Sequence, residues 1–291
     1  MVIIISLIIG VMFAICGTAY KIGSLGNVHS IQSATILSIF GMLFFGIRAC
    51  STWENITIWM VIAGLIFGVT QYLAIRLIRV ALTIGPLSPA WCASSLSFVP
   101  VIIYAGIFMG EKLSILQYFS LAATFGAILS GALGHDGGKH GLSLKNKILY
   151  GILLVLILTG ASIINIGLKF CSTYIEPGTN VTMLKNGSDV IMVFTYLFLG
   201  LSSAIDLTLS KSWRWNKFAY WGGGLLSVGA IGGFALSLSI IQAPAVFVFA
   251  LSNSASILIA SLISTFFMHE KRTVSWYFTV GFSLLAILLN R

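Results

Sequence analysis

The stretch FMGEKLSILQYF, Phe108 to Phe119, recurs 159 residues later as FMHEKRTVSWYF, Phe267 to Phe278. Five residue types coincide, at Met109/Met268, Glu111/Glu270, Lys112/Lys271, Tyr118/Tyr277 and Phe119/Phe278. Each copy joins one long apolar segment to another that closes in Ala-Ile-Leu, Ala127 to Leu129 and Ala286 to Leu288. A short charged corner repeated between apolar segments marks two copies of one membrane unit, as in many transporters.

The apolar runs reach the length of about 20 residues that a helix needs to cross a bilayer. Charged residues make up 8% of the chain, against about 25% in a soluble domain. Sixteen Lys and Arg with seven acids cannot cover the surface of a water-soluble protein of 291 residues. The runs are continuous rather than alternating, which points to helices and away from a β-barrel. The net charge of +9 is then read as basic residues at helix ends facing lipid headgroups, and no nucleic acid is expected as a partner. Cys16, Cys50, Cys92 and Cys171 lie in or beside apolar segments without metal or disulfide spacing. They read as small buried residues, and no metal or cofactor is expected. The first segment starts at Val2 without a basic region and runs into a multi-span pattern, so it reads as a retained span.

Ten spans are expected: Val2–Tyr20, Ile31–Ile47, Ile56–Ile78, Leu87–Met109, Ile115–Leu133, Ile148–Cys171, one within Val181–Ser203, Phe218–Ile241, Ala243–Met268 and Val274–Leu289. The polar stretch GHDGGKHGLSLKNK, Gly134 to Lys147, separates the halves. Its His135 and His140 have no further ligands nearby and read as loop residues. TMLKNGSD, Thr182 to Asp189, is too polar for a lipid-facing start. The seventh helix is therefore expected to begin near Ser188, with Ser or Asp as its N-cap; the alternative is a polar turn facing a cavity.

ICGTAYKIGS, Ile15 to Ser24, aligns with IINIGLKFCS, Ile163 to Ser172, and sets Lys21 opposite Lys169. Each half then holds five spans. An odd number makes the second half enter the membrane from the opposite side. The expected fold is an all-α polytopic membrane protein of ten transmembrane helices in two inverted five-helix repeats. Residues 1–134 form the first repeat, 135–147 the linker and 148–291 the second. Eleven basic residues flank the odd-numbered connections and five the even-numbered ones with the C-terminus, which places the odd connections in the cytoplasm and both termini outside.

Ten spans, two five-helix halves and a Gly-Glu-Lys or His-Glu-Lys corner after the fourth and ninth spans resemble the drug/metabolite transporter superfamily, in its ten-helix EamA-like branch. The residues that carry the resemblance are Gly110-Glu111-Lys112-Leu113-Ser114, Pro100, the span ends Lys21 and Lys169, and Gln71-Tyr72-Leu73-Ala74. The resemblance covers essentially the whole chain. It implies a helix bundle with a central cavity lined largely by the first, third, fourth, sixth, eighth and ninth spans, and alternating access for small metabolites. The chain departs from the family pattern twice. His269 stands where the second corner would have Gly, and family members keep both termini in the cytoplasm.

All seven acids fall near span ends or in loops. A proton-coupled exporter of lipophilic cations needs a carboxylate inside the membrane, so such an antiporter is not expected. Glu111 and Glu270 read as structural motif residues that cap helix N-termini. Among cations, Arg76 lies one turn past Tyr72, with Gln71 beside it, and Lys169 closes the sixth span. Two readings stand for each, snorkelling to headgroups or lining a cavity for anionic or zwitterionic cargo. Ser94, Ser95 and Ser97 match the polar run Ser252, Asn253, Ser254 and Ser256. Packing accounts for most of these serines, while Asn253 and Asn165 carry two-sided amides suited to a cavity. Trp91 either stacks on cargo or anchors at the interface. The glycines of the eighth span, Gly222-Gly223-Gly224, Gly229, Gly232 and Gly233, permit close packing or bending.

The substrate-binding residues expected are Gln71, Tyr72, Arg76, Trp91, Ser95, Asn165, Lys169 and Asn253. The expected function is secondary transport of a small polar organic metabolite, zwitterionic or anionic, by alternating access. A passive facilitator or lipid-headgroup flippase on the same bundle is the alternative. An enzyme would need a catalytic cluster of His, Asp, Ser or Cys at one membrane face, which the four histidines do not form. The expected setting is a multi-pass position in a cell membrane, the bacterial cytoplasmic membrane, as a monomer or homodimer.

Overall fold

The chain is described by a computed structural model over residues 2–25, 30–84, 90, 93–133, 144–175, 180–211, 215, 217–266 and 274–289. Among these residues ten α-helices follow one another: α1 Val2–Leu25, α2 Ser30–Ala49, α3 Ile58–Ile84, α4 Phe98–Phe108, α5 Ile115–Leu133, α6 Leu144–Thr173, α7 Met183–Leu209, α8 Lys217–Gln242, α9 Ala245–Phe266 and α10 Val274–Leu289. Helix is what an apolar chain in lipid must form, because each backbone N–H then finds its carbonyl within the segment. Seven of the ten, α1 to α3 and α6 to α9, are long and apolar enough to cross a membrane, while α4, α5 and α10 hold shorter apolar stretches. The chain fits an all-α, multi-pass membrane protein.

Large apolar side chains face outward in quantity, among them Leu43, Ile47, Phe108, Ile115 and Leu209. In water such a surface would drive aggregation; against acyl chains it is the solvated face.

Three local features depart from the sequence expectation, and a proline and a glycine account for the first two. The fourth span is interrupted at Leu96 and Ser97, between the helical Ala93–Ser95 stretch and α4. Pro100 has no N–H to offer the Leu96 carbonyl, and Val99 N–H donates to it instead, at 3.0 Å. The seventh helix begins at Met183 after Thr182, five residues before the Ser188 expected from its polarity. Gly187 breaks it with a non-helical φ of −152° and ψ of 39°, so the regular run does start at Ser188. The sixth helix begins at Leu144, inside the expected linker, whose residues 134–143 lie outside the described ones.

The chain divides into two compact units, each drawing on both halves of the sequence. One unit comprises residues 1–14, 77–162 and 243–291. In it α10 packs along α5, and α9 meets α4, α5 and α10. Hydroxyls join these helices: Ser120 Oγ donates to the Ala286 carbonyl at 2.9 Å, and Thr124 Oγ1 and Ser254 Oγ lie 2.8 Å apart.

The other unit comprises residues 15–76 and 163–242. There α2 lies against α7 and α8, around a core that includes Phe45, Met60, Phe67, Leu184, Tyr196 and Leu199. The Phe45 ring stacks on Tyr196 and meets Phe234 edge-on, both with centroids 5.6 Å apart. Close approach of α3 to α7 depends on Gly64 and Gly68. A Cβ on Gly68 would run into the Thr195 carbonyl, and one on Gly64 into the Phe194 side chain. Backbone is the obstacle at Gly68, so nothing there can rotate aside.

Gly68→Val is therefore expected to destabilise the protein by about 1–3 kcal/mol through overpacking. A lowered thermal transition in detergent checks this, with Gly224→Val, at a position with open space around its Cα, as the mild control.

Candidate functional site

Tyr72 and Arg76 are four residues apart on α3 and so share a face. One Arg76 terminal nitrogen, Nη1, donates to the Tyr72 hydroxyl at 2.7 Å and lies 2.8 Å from Asp206 Oδ1 on α7. Half of the Arg76 side chain is exposed, whereas the Asp206 side chain is only 10% exposed. The second carboxylate oxygen, Oδ2, is buried and has no hydrogen-bond partner among the described residues, and the same holds for the hydroxyl of Ser203 one turn earlier. All four residues belong to the second of the two units.

A second ion pair stands at the other end of α7. Arg48, in the last turn of α2, donates through Nε to Asp189 Oδ1 at 3.0 Å and through Nη2 to Oδ2 at 3.4 Å. Its guanidinium also lies over the Phe234 ring of α8, 4.3 Å from the centroid. The fork geometry matches a carboxylate and the planar cation matches an aromatic face, a pairing Lys could not reproduce. Asp189 and Asp206 are 17 residues apart on α7, which is about 25 Å along the axis. The pairs also fix direction: α2 ends where α7 begins, and α3 runs alongside α7 in the same sense.

The expected site residues divide between the units. Gln71, Tyr72, Arg76, Asn165 and Lys169 belong to one, Ser95 and Asn253 to the other. Trp91 and Glu270 lie outside the described residues. The structure joins Tyr72 directly to Arg76. Lys169 is buried within the last turns of α6, with Asn165 one turn before it and half-buried. Asn253 turns its amide N–H onto the Phe249 carbonyl of its own helix at 2.9 Å. Ser254 serves packing through Thr124.

Sequence reasoning missed Asp206 and Ser203 as companions of Arg76. Asp206 stands three residues from the end of α7, as a span-end acid should, yet it is buried. The signal available was the arginine itself: a guanidinium in an apolar helix calls for a counter-charge, and α7 carries acids near both ends. Among the described residues no group of three or more His, Cys, Asp or Glu side chains could hold a metal ion.

Glu111 shows how the first copy of the corner works. Gly110 follows α4 in the left-handed conformation, with φ of 66°. The Met109 and Glu111 N–H groups both donate to the Ala105 carbonyl, at 3.1 and 3.2 Å, closing the helix as a glycine-based C-terminal turn does. This turn aims the Glu111 carboxylate at another helix start: Oε2 accepts the Ala245 N–H at the head of α9, at 2.9 Å. Glu111 thus caps α9, 134 residues on, rather than α5, the next helix in the chain.

No protein-family profile and no curated protein matches the chain. A solved structure described as "Crystal structure of protein" matches 99% of this chain and 95% of its own, with a TM-score of 0.79 at 12% identity. A likeness at that identity concerns the fold alone.

Glu111→Ala is expected to lower stability by about 0.5–2 kcal/mol, the range for loss of an N-terminal cap. Glu111→Gln keeps an acceptor oxygen and should lose less. Thermal unfolding of the two variants in one detergent separates these outcomes.

Proposed function

We propose that the protein is a secondary transporter that moves a small polar organic metabolite, zwitterionic or anionic, across a cell membrane by alternating access. The observation that carries this reading is the cluster of Arg76, Tyr72 and Asp206 within apolar helices. Ionisable groups are rare in such helices because desolvation is costly, and where they occur they mark solute or ion pathways. A half-exposed guanidinium beside a buried carboxylate offers charge to a solute while remaining neutral overall in its absence.

The proposal extends to architecture. Ten helices lie among the described residues, seven of them long and apolar enough to cross a membrane. Together with the duplicated Glu-Lys corner, they support ten crossings in two inverted five-helix repeats and membership of the drug/metabolite transporter superfamily in its EamA-like branch. The partners proposed are the bilayer and a small solute.

The test is counterflow in reconstituted vesicles, screened with mixtures of labelled amino acids, organic acids and phosphorylated metabolites. At least one mixture should be accumulated, and Arg76→Gln should reduce that flux about ten- to hundredfold, the loss expected from one or two charge-assisted hydrogen bonds. Scrambling of labelled lipid without solute counterflow would make the protein a flippase; neither activity would end the transporter reading.

A further inference from the structure

We propose that Asp206 and Ser203 form an ammonium subsite beside Arg76, so that the solute is a zwitterion: its carboxylate on the free edge of the Arg76 guanidinium, its primary ammonium on the two buried oxygens of α7. The proposal rests on the transporter reading and narrows its substrate class.

The first observation is the pair of unsatisfied acceptors. Asp206 Oδ2 and Ser203 Oγ are buried and have no hydrogen-bond partner among the described residues. They are three residues apart on α7, hence on one face. Other buried hydroxyls of this unit bond to their own helix: Thr195 to the Ile191 carbonyl at 2.8 Å, Ser227 to that of Gly223 at 2.8 Å, Ser239 to that of Ala235 at 2.8 Å. Ser203 departs from that habit. Buried polar atoms without partners are uncommon in folded proteins and ask for an explanation. The carboxylate oxygen can only accept and the hydroxyl can accept as well as donate, and an ammonium group presents three N–H donors to them.

The second observation is the donor count on Arg76. Nη1 donates to the Tyr72 hydroxyl and stands 2.8 Å from Asp206 Oδ1. Nε and Nη2 remain, the edge that meets a carboxylate in a two-point fork, and half of this side chain is exposed. Among the described residues this edge makes no hydrogen bond.

The third consideration is charge. Arg76 and Asp206 together are neutral. A net anion or a net cation would leave the cluster with an uncompensated charge in a region of low dielectric. A zwitterion adds as much positive as negative charge and lets each protein group exchange one partner for another. The neutral pair thus favours a solute with adjacent carboxylate and ammonium groups over a plain carboxylate.

The experiment uses the full-length protein in detergent, with thermal stabilisation by α-, β- and γ-amino acids at millimolar concentration as the readout. Acetate, methylammonium and glycine betaine are the comparison probes; betaine keeps both charges but has no N–H. At least one amino acid should bind about tenfold or more tightly than betaine, the loss expected for missing hydrogen bonds to a charged group. Acetate and methylammonium should not bind measurably. Ser203→Ala should weaken the amino acid several-fold and leave betaine unchanged. The double variant Arg76→Gln with Asp206→Asn, which leaves no unpaired buried charge and so keeps the fold, should bind none of the probes. Betaine or acetate binding as tightly as every amino acid, or full affinity in Ser203→Ala, would overturn the subsite and leave the two oxygens as water sites. Absence of stabilisation by any amino acid would overturn it too, and counterflow of another solute in vesicles would then leave the transporter reading standing. Amino-acid binding without any counterflow would keep the subsite and end the transporter reading.

Discussion

A charge placed among apolar helices has to find its opposite, and in the unit formed by residues 15–76 and 163–242 that requirement organises the polar contacts. Helix α7 carries acids near both ends, and each holds an arginine from another helix, Arg48 from α2 and Arg76 from α3. An arginine left alone in such surroundings would be strongly unfavourable, so each pair constrains where its two helices can lie. With Arg48 also stacked on Phe234, one residue ties α2, α7 and α8 together. The two pairs differ in what they leave over. Arg48 and Asp189 use both carboxylate oxygens in a closed fork, whereas the second oxygen of Asp206 has no partner among the described residues.

That difference has meaning because the remaining polar groups are so well accounted for. In lipid the helix backbone satisfies itself, and buried Ser and Thr side chains return their hydrogens to carbonyls three or four residues back, as Thr35, Ser38, Thr124 and Ser283 do. This local bond lets a hydroxyl sit in an apolar helix without a partner from elsewhere. Among the described residues the unsatisfied buried side-chain atoms are those of Ser6, Thr182, Ser203 and Asp206. Thr182 stands at the cap of α7 and Ser6 on α1; only Ser203 and Asp206 share a helix face.

In the unit that holds α4, α5, α9 and α10, the described contacts form through hydroxyls and at helix termini. Pro100 interrupts the fourth span because it lacks a donor, and Gly110 ends α4 because it tolerates a positive φ. The turn that results presents Glu111 to the head of α9. The Glu-Lys corner therefore links distant stretches of chain through a single carboxylate.

Much of this was legible in the sequence, because hydrophobic length and local turn chemistry are local properties. The apolar runs alone imply an all-α membrane protein, Gly110-Glu111 implies a helix end and a cap, and Tyr72 and Arg76, one turn apart, imply a shared face. Even the polar TMLKNGSD stretch announced a break, which falls at Gly187, although the helix starts earlier than polarity suggested. What tertiary structure alone decided is which groups meet. Glu111 pairs with a helix 134 residues away, and Asp206 reads as an ordinary span-end acid until α3 brings Arg76 against it. Burial and counter-charge are set by the neighbouring helix, and periodicity along one helix carries no record of what lies across the gap.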